Sequence, residues 1–244
     1  MRPAPAPDAQ GLRDPVGAAT LERMATAQAF NKWMYDRLAP WVGRRVLEVG
    51  SGIGNMSQFF ADRERVVLTD TDAGYRETLR TRFAQHPNIA VRELSLPEVP
   101  DGLVAERFDT IVCLNVLEHI EDDLASLAAM RRLLVPGGRL VLLVPALPFL
   151  YGSLDRALGH YRRYTKALLR QRCAAAGLAI HHLEYFNLGG IPGWWFAARV
   201  MKRESIPPDW LGLYDKLVPL FRLEQVLPWR IGQSLIAIGG WPGG

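Results

Sequence analysis

The residues Val46-Leu-Glu-Val-Gly-Ser-Gly-Ile-Gly-Asn55 decide the fold class of this chain. A short apolar run carries one carboxylate, Glu48, and three glycines follow it at alternate positions. Asp70 lies twenty residues after Gly50, behind a second apolar run. In a parallel α/β sheet, glycines let the backbone approach a ligand closely, and a later carboxylate accepts hydrogen bonds from ribose hydroxyls. The stretch therefore predicts a nucleoside-binding turn at the end of the first strand.

The composition is that of an ordinary globular protein. The chain has 244 residues, 49% of them hydrophobic, and a formal net charge of +4. This length suggests one domain, and so small a positive excess permits an anionic partner without demanding nucleic acid. Cys113 and Cys173 are far apart in sequence, so we expect a reducing, cytoplasmic location. No carboxylate and histidine cluster shows ligand spacing along the sequence, so we expect no metal site.

The order of apolar runs predicts alternating strands and helices. Residues 1–19 are rich in Pro and Ala and lack the apolar run of a signal peptide, so we expect a flexible tail. A single domain is expected over 20–244, with a helical cap over 20–42 and a helix from the glycine turn through Phe60. We predict a Rossmann-like, doubly wound α/β sheet of seven strands, mostly parallel with an antiparallel last strand. The predicted strands are 45–49, 65–69, 89–94, 108–114, 139–144, 180–185 and 232–239.

Four segments in this order carry a family resemblance. They are Leu47–Gly54, Thr69–Asp72, Phe108–His119 and Leu134–Leu140. With them the chain resembles the class I S-adenosylmethionine-dependent methyltransferases over roughly residues 30–187 and the last strand. It is similar to members commonly found near sugar-transferring enzymes. Asn55 stands where a dinucleotide-binding turn needs its third small residue, which argues against a nicotinamide cofactor.

The resemblance implies that S-adenosylmethionine is bound and S-adenosylhomocysteine released. Asp70 is then expected to bind both ribose hydroxyls, while Glu48 and nearby backbone carbonyls accept hydrogen bonds from the ammonium group. Many relatives place a carboxylate beside the adenine, where this sequence aligns Ser95 and Leu96. The full set of expected cofactor residues is Glu48, Gly50, Ser51, Gly52, Gly54, Asp70, Thr71, Ser95, Leu96 and Asn115.

Two histidines are candidate general bases, because the pKa of imidazole lies near neutrality. His119 follows the fourth predicted strand, directly after Glu118. The alternative is that this pair only caps or packs the next helix. His160 lies in the segment Asp155-Arg-Ala-Leu-Gly-His-Tyr-Arg-Arg-Tyr-Thr-Lys166.

That segment is interpreted as an acceptor pocket. Arg162 or Arg163 would bind an anionic group, while Tyr161 and Tyr164 would stack or hydrogen bond. Tyr164 also joins the two histidines as a catalytic candidate. The alternative is that the segment's threonine caps the following helix and one arginine pairs with its leading aspartate.

Residues 188–230 interrupt the alternation of strands and helices with an aromatic-rich insertion. Four of the seven tryptophans lie there, and Trp194 and Trp195 are the substrate-binding candidates. Such an insertion can close over a substrate as a lid and exclude water. A homodimer contact, a membrane-surface patch and plain core remain alternatives.

The predicted activity is methyl transfer to an oxygen or nitrogen of a small organic acceptor. Alignment of an already activated donor supplies most of the catalysis. One alternative is a lipid-linked or sugar-containing acceptor near a membrane surface. Another is a domain that binds S-adenosylmethionine without transferring its methyl group. The expected partner is a small-molecule substrate, with no nucleic acid.

Overall fold

The computed structural model describes residues 15–205, 208–226 and 231–241. Its strands are β1 Arg45–Val49, β2 Arg65–Thr69, β3 Ile89–Arg92, β4 Phe108–Leu114, β5 Leu134–Pro145, β6 Ala179–Phe186 and β7 Ser234–Gly240. They form a seven-stranded sheet in the order β3-β2-β1-β4-β5-β7-β6. Neighbours from β3 to β5 pair in parallel, and β7 is antiparallel to both β5 and β6. The predicted fold class is confirmed.

Helices cover the sheet and its upper edge. They are α1 Pro15–Thr26, α2 Gln28–Leu38, α3 Ala73–Arg82, α4 Asp101–Val104, α5 Asp123–Leu133, α6 Ser153–Ala157, α7 Lys166–Ala175, α8 Gly190–Trp195 and α9 Pro208–Phe221. Asp72 begins α3 by accepting hydrogen bonds from two backbone N–H groups, and the Thr165 hydroxyl accepts from Leu168 N at 3.1 Å to begin α7. The Thr165 cap is the one named above as an alternative role for its segment. None of the described helices has the length and apolarity needed to cross a bilayer.

The core lies in two layers, one on each face of the sheet. Adjacent residues of β1 pack in different layers: Leu47 lies in one and Val46 in the other. Successive side chains of a strand point to opposite faces, so a strand covered on both sides is apolar throughout. Both residues are fully buried. β1 lies between β2 and β4, so the glycine turn after it is flanked by the carboxyl ends of both neighbouring strands.

Three elements differ most from the prediction. Helix α1 begins at Pro15, where proline suits the first turn, so the predicted tail is shortened and residues 1–14 lie outside the described part. The helix predicted from the glycine turn is only a 3₁₀ turn, Ser57–Phe60, because the glycines before it adopt left-handed backbone conformations. Strand β5 begins at Leu134 and not at residue 139, because Leu134 pairs with Phe108 before a register shift.

The insertion is tied to the N-terminal helices. The carboxylate of Asp215 in α9 accepts hydrogen bonds from Ala29 N at 3.2 Å and Phe30 N at 2.8 Å in α2. Helices α1 and α2 both pack against α9. These two parts of the chain, distant in sequence, therefore form one roof over the carboxyl end of the sheet.

Candidate active site

A cavity of about 1490 Å³ opens at the carboxyl ends of β1, β2 and β4. The strand order reverses between β1 and β4, and open α/β sheets bind ligands at such a switch point. Its wall runs from Asp70 past Asn115 and His119 to Trp194 in the insertion. Pockets for one drug-sized ligand measure about 300–1,000 Å³, so this cavity has room for a cofactor and an acceptor together.

The glycine turn forms the floor at one end of the cavity. Gly50, Gly52 and Gly54 have φ angles of 69°, 54° and 85°. A Cβ at Gly50 would lie 2.4 Å from Val116 Cγ2, and one at Gly52 would lie 3.0 Å from Leu21. A side chain at either position is therefore excluded by backbone conformation and by space. Gly54 turns the chain but does not line the cavity, unlike the other two.

Asp70 stands at the rim of the turn with both carboxylate oxygens fixed. One oxygen accepts from Gly52 N at 2.9 Å and the other from Asp72 N at 3.0 Å. Burial raises the pKa of Asp70, and the backbone hydrogen bonds oppose that rise. Each oxygen retains acceptor capacity, so the group fits a pair of ribose hydroxyls.

Glu48 is buried beneath the same end of the cavity. Its carboxylate accepts a hydrogen bond from the Ser57 hydroxyl. Desolvation raises the pKa of Glu48 to about 7, while hydrogen bonds from Ser57 and Ser51 act in the opposite direction. A cationic ligand group nearby would restore the ionised form, so Glu48 suits an ammonium group.

Most of the expected cofactor residues share this wall. It includes Glu48, Gly50, Ser51, Gly52, Asp70, Thr71 and Asn115. Ser95 lies instead in a separate hollow, and Leu96 packs against the core. The chain turns back there, with Glu98 N donating to Ser95 O at 3.0 Å, so neither residue reaches the cavity. Glu93, the first residue after β3, lines the cavity instead and pairs with Arg76 at 2.8 Å.

A second group of polar side chains, Glu118, His119 and His160, converges at the other half of the cavity. His160 Nε2 lies 4.0 Å from Glu118 Oε1, and the two imidazole rings stand 4.7 Å apart and nearly perpendicular. Burial raises the pKa of Glu118 to about 8. Desolvation and then the neighbouring His160 lower the pKa of His119 to about 4. The sequence shows no ligand spacing for this group, because the fold assembles it from two separate segments.

Asp155 is the buried centre that holds this group in place. Its Oδ1 accepts from Arg163 Nε at 2.7 Å and lies 3.0 Å from His160 Nδ1. Its Oδ2 accepts from Gly152 N at 2.9 Å and from the Trp194 indole at 3.3 Å. The predicted arginine–aspartate pair is thus present, and it is buried on both sides. Because Nδ1 faces a carboxylate, the ring proton sits there and Nε2 faces Glu118.

A family model described as a methyltransferase domain matches residues 19–183. The chain belongs to this methyltransferase family. The matched range contains both halves of the site, from Glu48 to Arg163, whereas the insertion lies beyond it.

Curated relatives point the same way. The methyltransferase is 30% identical over 162 residues to the ubiquinone biosynthesis O-methyltransferase of Paracidovorax citrulli, covering 59% of this chain and 67% of that one. It is 32% identical over 113 residues to the protein of that description from Pseudomonas aeruginosa, covering 45% and 47%. It is 33% identical over 173 residues to the lovastatin diketide synthase of Aspergillus terreus, covering 67% of this chain and 6% of that one. The chain thus spans less than half of the last two relatives.

Solved structures share the fold. The CcbJ methyltransferase of Streptomyces caelestis superposes with a TM-score of 0.55 at 15% identity, covering 89% of this chain and 95% of that one. An S-adenosylmethionine-dependent methyltransferase of Mesorhizobium loti gives 0.53 at 16% identity, covering 82% and 91%. The chain is an S-adenosylmethionine-dependent methyltransferase of class I.

Part of the predicted acceptor segment of the methyltransferase faces away from the cavity. Tyr164 is fully buried and donates to Asp123 Oδ2 at 2.9 Å, which corrects its assignment as a catalytic residue. Arg162 donates to two backbone carbonyls ahead of α5 at 2.8 and 2.7 Å. Tyr161 is 53% exposed and, like Arg162, does not line the cavity. These contacts fasten the segment to the start of α5, so Arg163 is the arginine of this pair that reaches the cavity.

The two predicted tryptophans have different surroundings. Trp194 lines the cavity, with its ring 4.8 Å from the Arg163 guanidinium. Trp195 is 46% exposed and does not line it, so its predicted contact with substrate is not supported. Phe196 and Trp210 of the insertion complete this part of the wall. Trp229, the fourth tryptophan of the insertion, lies outside the described residues.

Several lining residues were absent from the predicted set. Helix α1 contributes Leu21 and Met24, which cover the glycine turn. Their helical spacing was visible in the sequence, but it did not show which surface they cover. Glu118 and Asn187 also line the cavity. The position of Glu118 at the carboxyl end of β4 was the available signal, because that edge is where such sheets bind ligands.

Proposed function

We propose that this methyltransferase transfers a methyl group from S-adenosylmethionine to an oxygen or nitrogen of a small organic acceptor. One continuous cavity supports this, because it joins the nucleoside half at Asp70 to the proton-accepting group at His160. Oxygen is the preferred atom. A hydroxyl must lose its proton before or during attack, which is what a cluster of imidazole and carboxylate groups can assist. Two curated relatives are described as O-methyltransferases.

The residues divide into a cofactor half and an acceptor half. In the proposed arrangement Asp70 binds the ribose hydroxyls, and Glu48 interacts with the ammonium group of the amino-acid part. S-adenosylmethionine supplies an activated methyl group on a sulfonium when bound. The glycine turn and Asn115 orient that end of the ligand, while the roof excludes water. Holding acceptor and methyl carbon in line contributes most of the rate enhancement.

The acceptor is proposed to be largely apolar, with a ring or chain that packs on aromatic side chains. Trp194, Phe196 and Trp210 line its part of the cavity, together with Leu213 and Tyr214 of α9. Aromatic side chains offer large apolar contact areas and prefer offset or edge-on ring packing. An apolar pocket with a few convergent polar groups is the usual form of a small-molecule site. A reducing location fits the two free, buried cysteines.

A second candidate is methylation of a lipid-linked or sugar-containing acceptor at a membrane surface. The insertion exposes a run of large apolar side chains beside the cavity mouth. They are Trp195, Phe196, Val200, Met201, Leu213, Leu217, Leu220, Leu223 and Val226. An exposed apolar patch of this kind marks a protein or membrane contact. Sedimentation of the full chain with anionic phospholipid vesicles, and loss of sedimentation in Leu220→Asp, would support this candidate over a freely dissolved acceptor.

The deciding experiment measures S-adenosylhomocysteine release with matched phenol, aromatic amine and thiol acceptors. A mass gain of one methylene group identifies the product. We expect the phenol series to react. His160→Ala should lower kcat by about 100-fold, the scale of general acid–base assistance, and His181→Ala on the exposed face of β6 should not. Binding of S-adenosylhomocysteine without release above background for any acceptor class would instead identify a domain that binds the cofactor and does not transfer.

A further inference from the structure

The acceptor half of the cavity contains two imidazoles and a carboxylate arranged as potential metal ligands. One ligand atom from each of Glu118, His119 and His160 lies within 4.8 Å of the other two. Ligands of a zinc ion at bond lengths of about 2.0–2.1 Å lie roughly 3 Å from one another, so small side-chain rotations bring these atoms into range. Glu118 and His119 are adjacent in the 3₁₀ turn after β4, and His160 faces them from the loop after α6.

Glu118 is the observation that points to a ligand. The residue has no solvent exposure, and neither of its side-chain oxygens has a hydrogen-bond partner among the described residues. The side chain nevertheless forms part of the cavity wall. A buried carboxylate without partners costs several kcal/mol if it is ionised, and a cation or a metal ion beside it removes that cost. Glu118 therefore presents two unused acceptor oxygens to the cavity.

The histidines are held by outer contacts of the kind that metal ligands show. His160 Nδ1 faces Asp155 Oδ1 at 3.0 Å, leaving Nε2 directed toward Glu118. The backbone carbonyl of Leu158 lies close to the His119 ring. Metal-binding histidines typically donate their second ring N–H to a carboxylate or a backbone carbonyl, which fixes the tautomer and the ring orientation. The contact between His160 and Asp155 is of this kind.

The local charge also leaves room for a cation. Arg163 is the nearby positive group, and Asp155 pairs with it at 2.7 Å. Asp155 is therefore already matched by one arginine, and Glu118 has no cationic hydrogen-bond partner among the described residues. A divalent ion at Glu118 would supply such a partner without displacing an existing ion pair. The adjoining cavity supplies a route of entry.

We propose that Glu118, His119 and His160 bind a divalent transition-metal ion. Zn²⁺ is the preferred ion, and Mn²⁺ and Fe²⁺ belong to the same class of ions that this ligand set accepts. Two imidazoles and one carboxylate form a ligand set that such ions accept while keeping open positions. Those positions face the half of the cavity that the proposed function assigns to the acceptor. The role of the ion in methyl transfer rests on that proposed function, whereas its binding does not.

The bound ion would prepare a hydroxyl acceptor for attack. Coordination lowers the pKa of a hydroxyl, so its proton leaves to solvent water through the cavity mouth. The acceptor oxygen then forms a bond to the methyl carbon while the carbon–sulfur bond breaks and its electron pair remains on sulfur. In this arrangement His119 and His160 are metal ligands and do not accept the proton themselves. The ion, and not a free imidazole, is then the group that stabilises the deprotonated acceptor.

The first test is metal binding by the full chain, without methyl donor or acceptor. Protein stripped with a chelator is titrated calorimetrically with Zn²⁺, Mn²⁺ and Mg²⁺. We expect one equivalent of Zn²⁺ to bind, with at least tenfold weaker binding in Glu118→Gln and His160→Ala. Glu98→Gln and His181→Ala, which alter the same residue types outside the cavity, are expected to bind as the wild type does. Absence of binding by the wild type, or equal binding by Glu118→Gln, would overturn the proposal.

A second measurement needs no variant. Cobalt(II) bound by two imidazoles and a carboxylate should show visible d–d absorption that saturates at one equivalent and is displaced by Zn²⁺. An unchanged spectrum of hexaaqua cobalt contradicts the site even if a variant misfolds. Methyl transfer is then assayed with and without chelator. Metal binding without any methyl transfer would refute the proposed function and leave the site intact, while chelator-resistant transfer without metal binding would refute the site alone.

Discussion

The buried position of Glu48 predicts that cofactor affinity depends on pH in a defined direction. Desolvation raises its pKa to about 7. An acid with a raised pKa keeps its proton to higher pH, so Glu48 is mostly neutral at pH 6 and mostly ionised at pH 8. If only the ionised form attracts the ammonium group of the ligand, affinity must rise as pH rises through this range. A pKa of about 7 makes the ionised fraction about one-tenth at pH 6 and about nine-tenths at pH 8.

The expected effect is at most about a tenfold gain in affinity between pH 6 and pH 8, or about 1.4 kcal/mol. The assay is calorimetric titration with S-adenosylhomocysteine, whose amino group stays protonated over this interval. Glu48→Gln, which keeps the shape but cannot ionise, should bind weakly with no such dependence. Glu98→Gln, outside the cavity, should retain the full dependence. A flat profile in the wild type, or the same slope in Glu48→Gln, would refute the reasoning.

Three further changes have expected outcomes. Asp155→Asn should lower the free energy of unfolding by about 3 kcal/mol or more in urea denaturation, because the buried arginine that it pairs with is left uncompensated; a loss below about 1 kcal/mol would show that the pair contributes little. Trp194→Ala should raise the acceptor KM at least tenfold in steady-state kinetics, whereas the exposed Trp195→Ala should not, and equal effects would argue against the assigned cavity wall. Gly50→Ala should weaken S-adenosylhomocysteine binding at least tenfold, since its Cβ would meet a neighbouring side chain at 2.4 Å. Gly137→Ala, with a similar positive φ but open space around it, should cost only about 1–2 kcal/mol of stability and leave binding unchanged.

Local patterns identified most of the residues that line the glycine-turn end of the cavity. Gly50, Gly52 and Asp70 were recognisable because their roles depend on backbone freedom and on the position at which a strand ends. Both properties can be recognised from short stretches of sequence. Thr165 was likewise recognisable as a helix cap, since a cap acts within three residues of itself.

Local sequence patterns did not predict which residues of the acceptor segment line the cavity, because that depends on the direction of each side chain. Tyr164 and Arg162 looked equivalent to Arg163 in the segment, yet they contact Asp123 and the turn before α5 instead of the cavity. The α-helix predicted after the glycine turn was also wrong, because glycines at alternate positions adopt left-handed conformations and only a 3₁₀ turn follows them.

By itself the sequence determined the order of strands and helices, the family and the position of the glycine turn, because periodicity and glycine spacing act over a few residues. Only the tertiary structure decided that Glu118, His119 and His160 meet, that Asp155 holds one of them, and that helix α1 and the insertion share a roof. Those contacts depend on how the strands are ordered in the sheet and on which way each side chain points. Neither quantity is encoded in the spacing of residues along the chain.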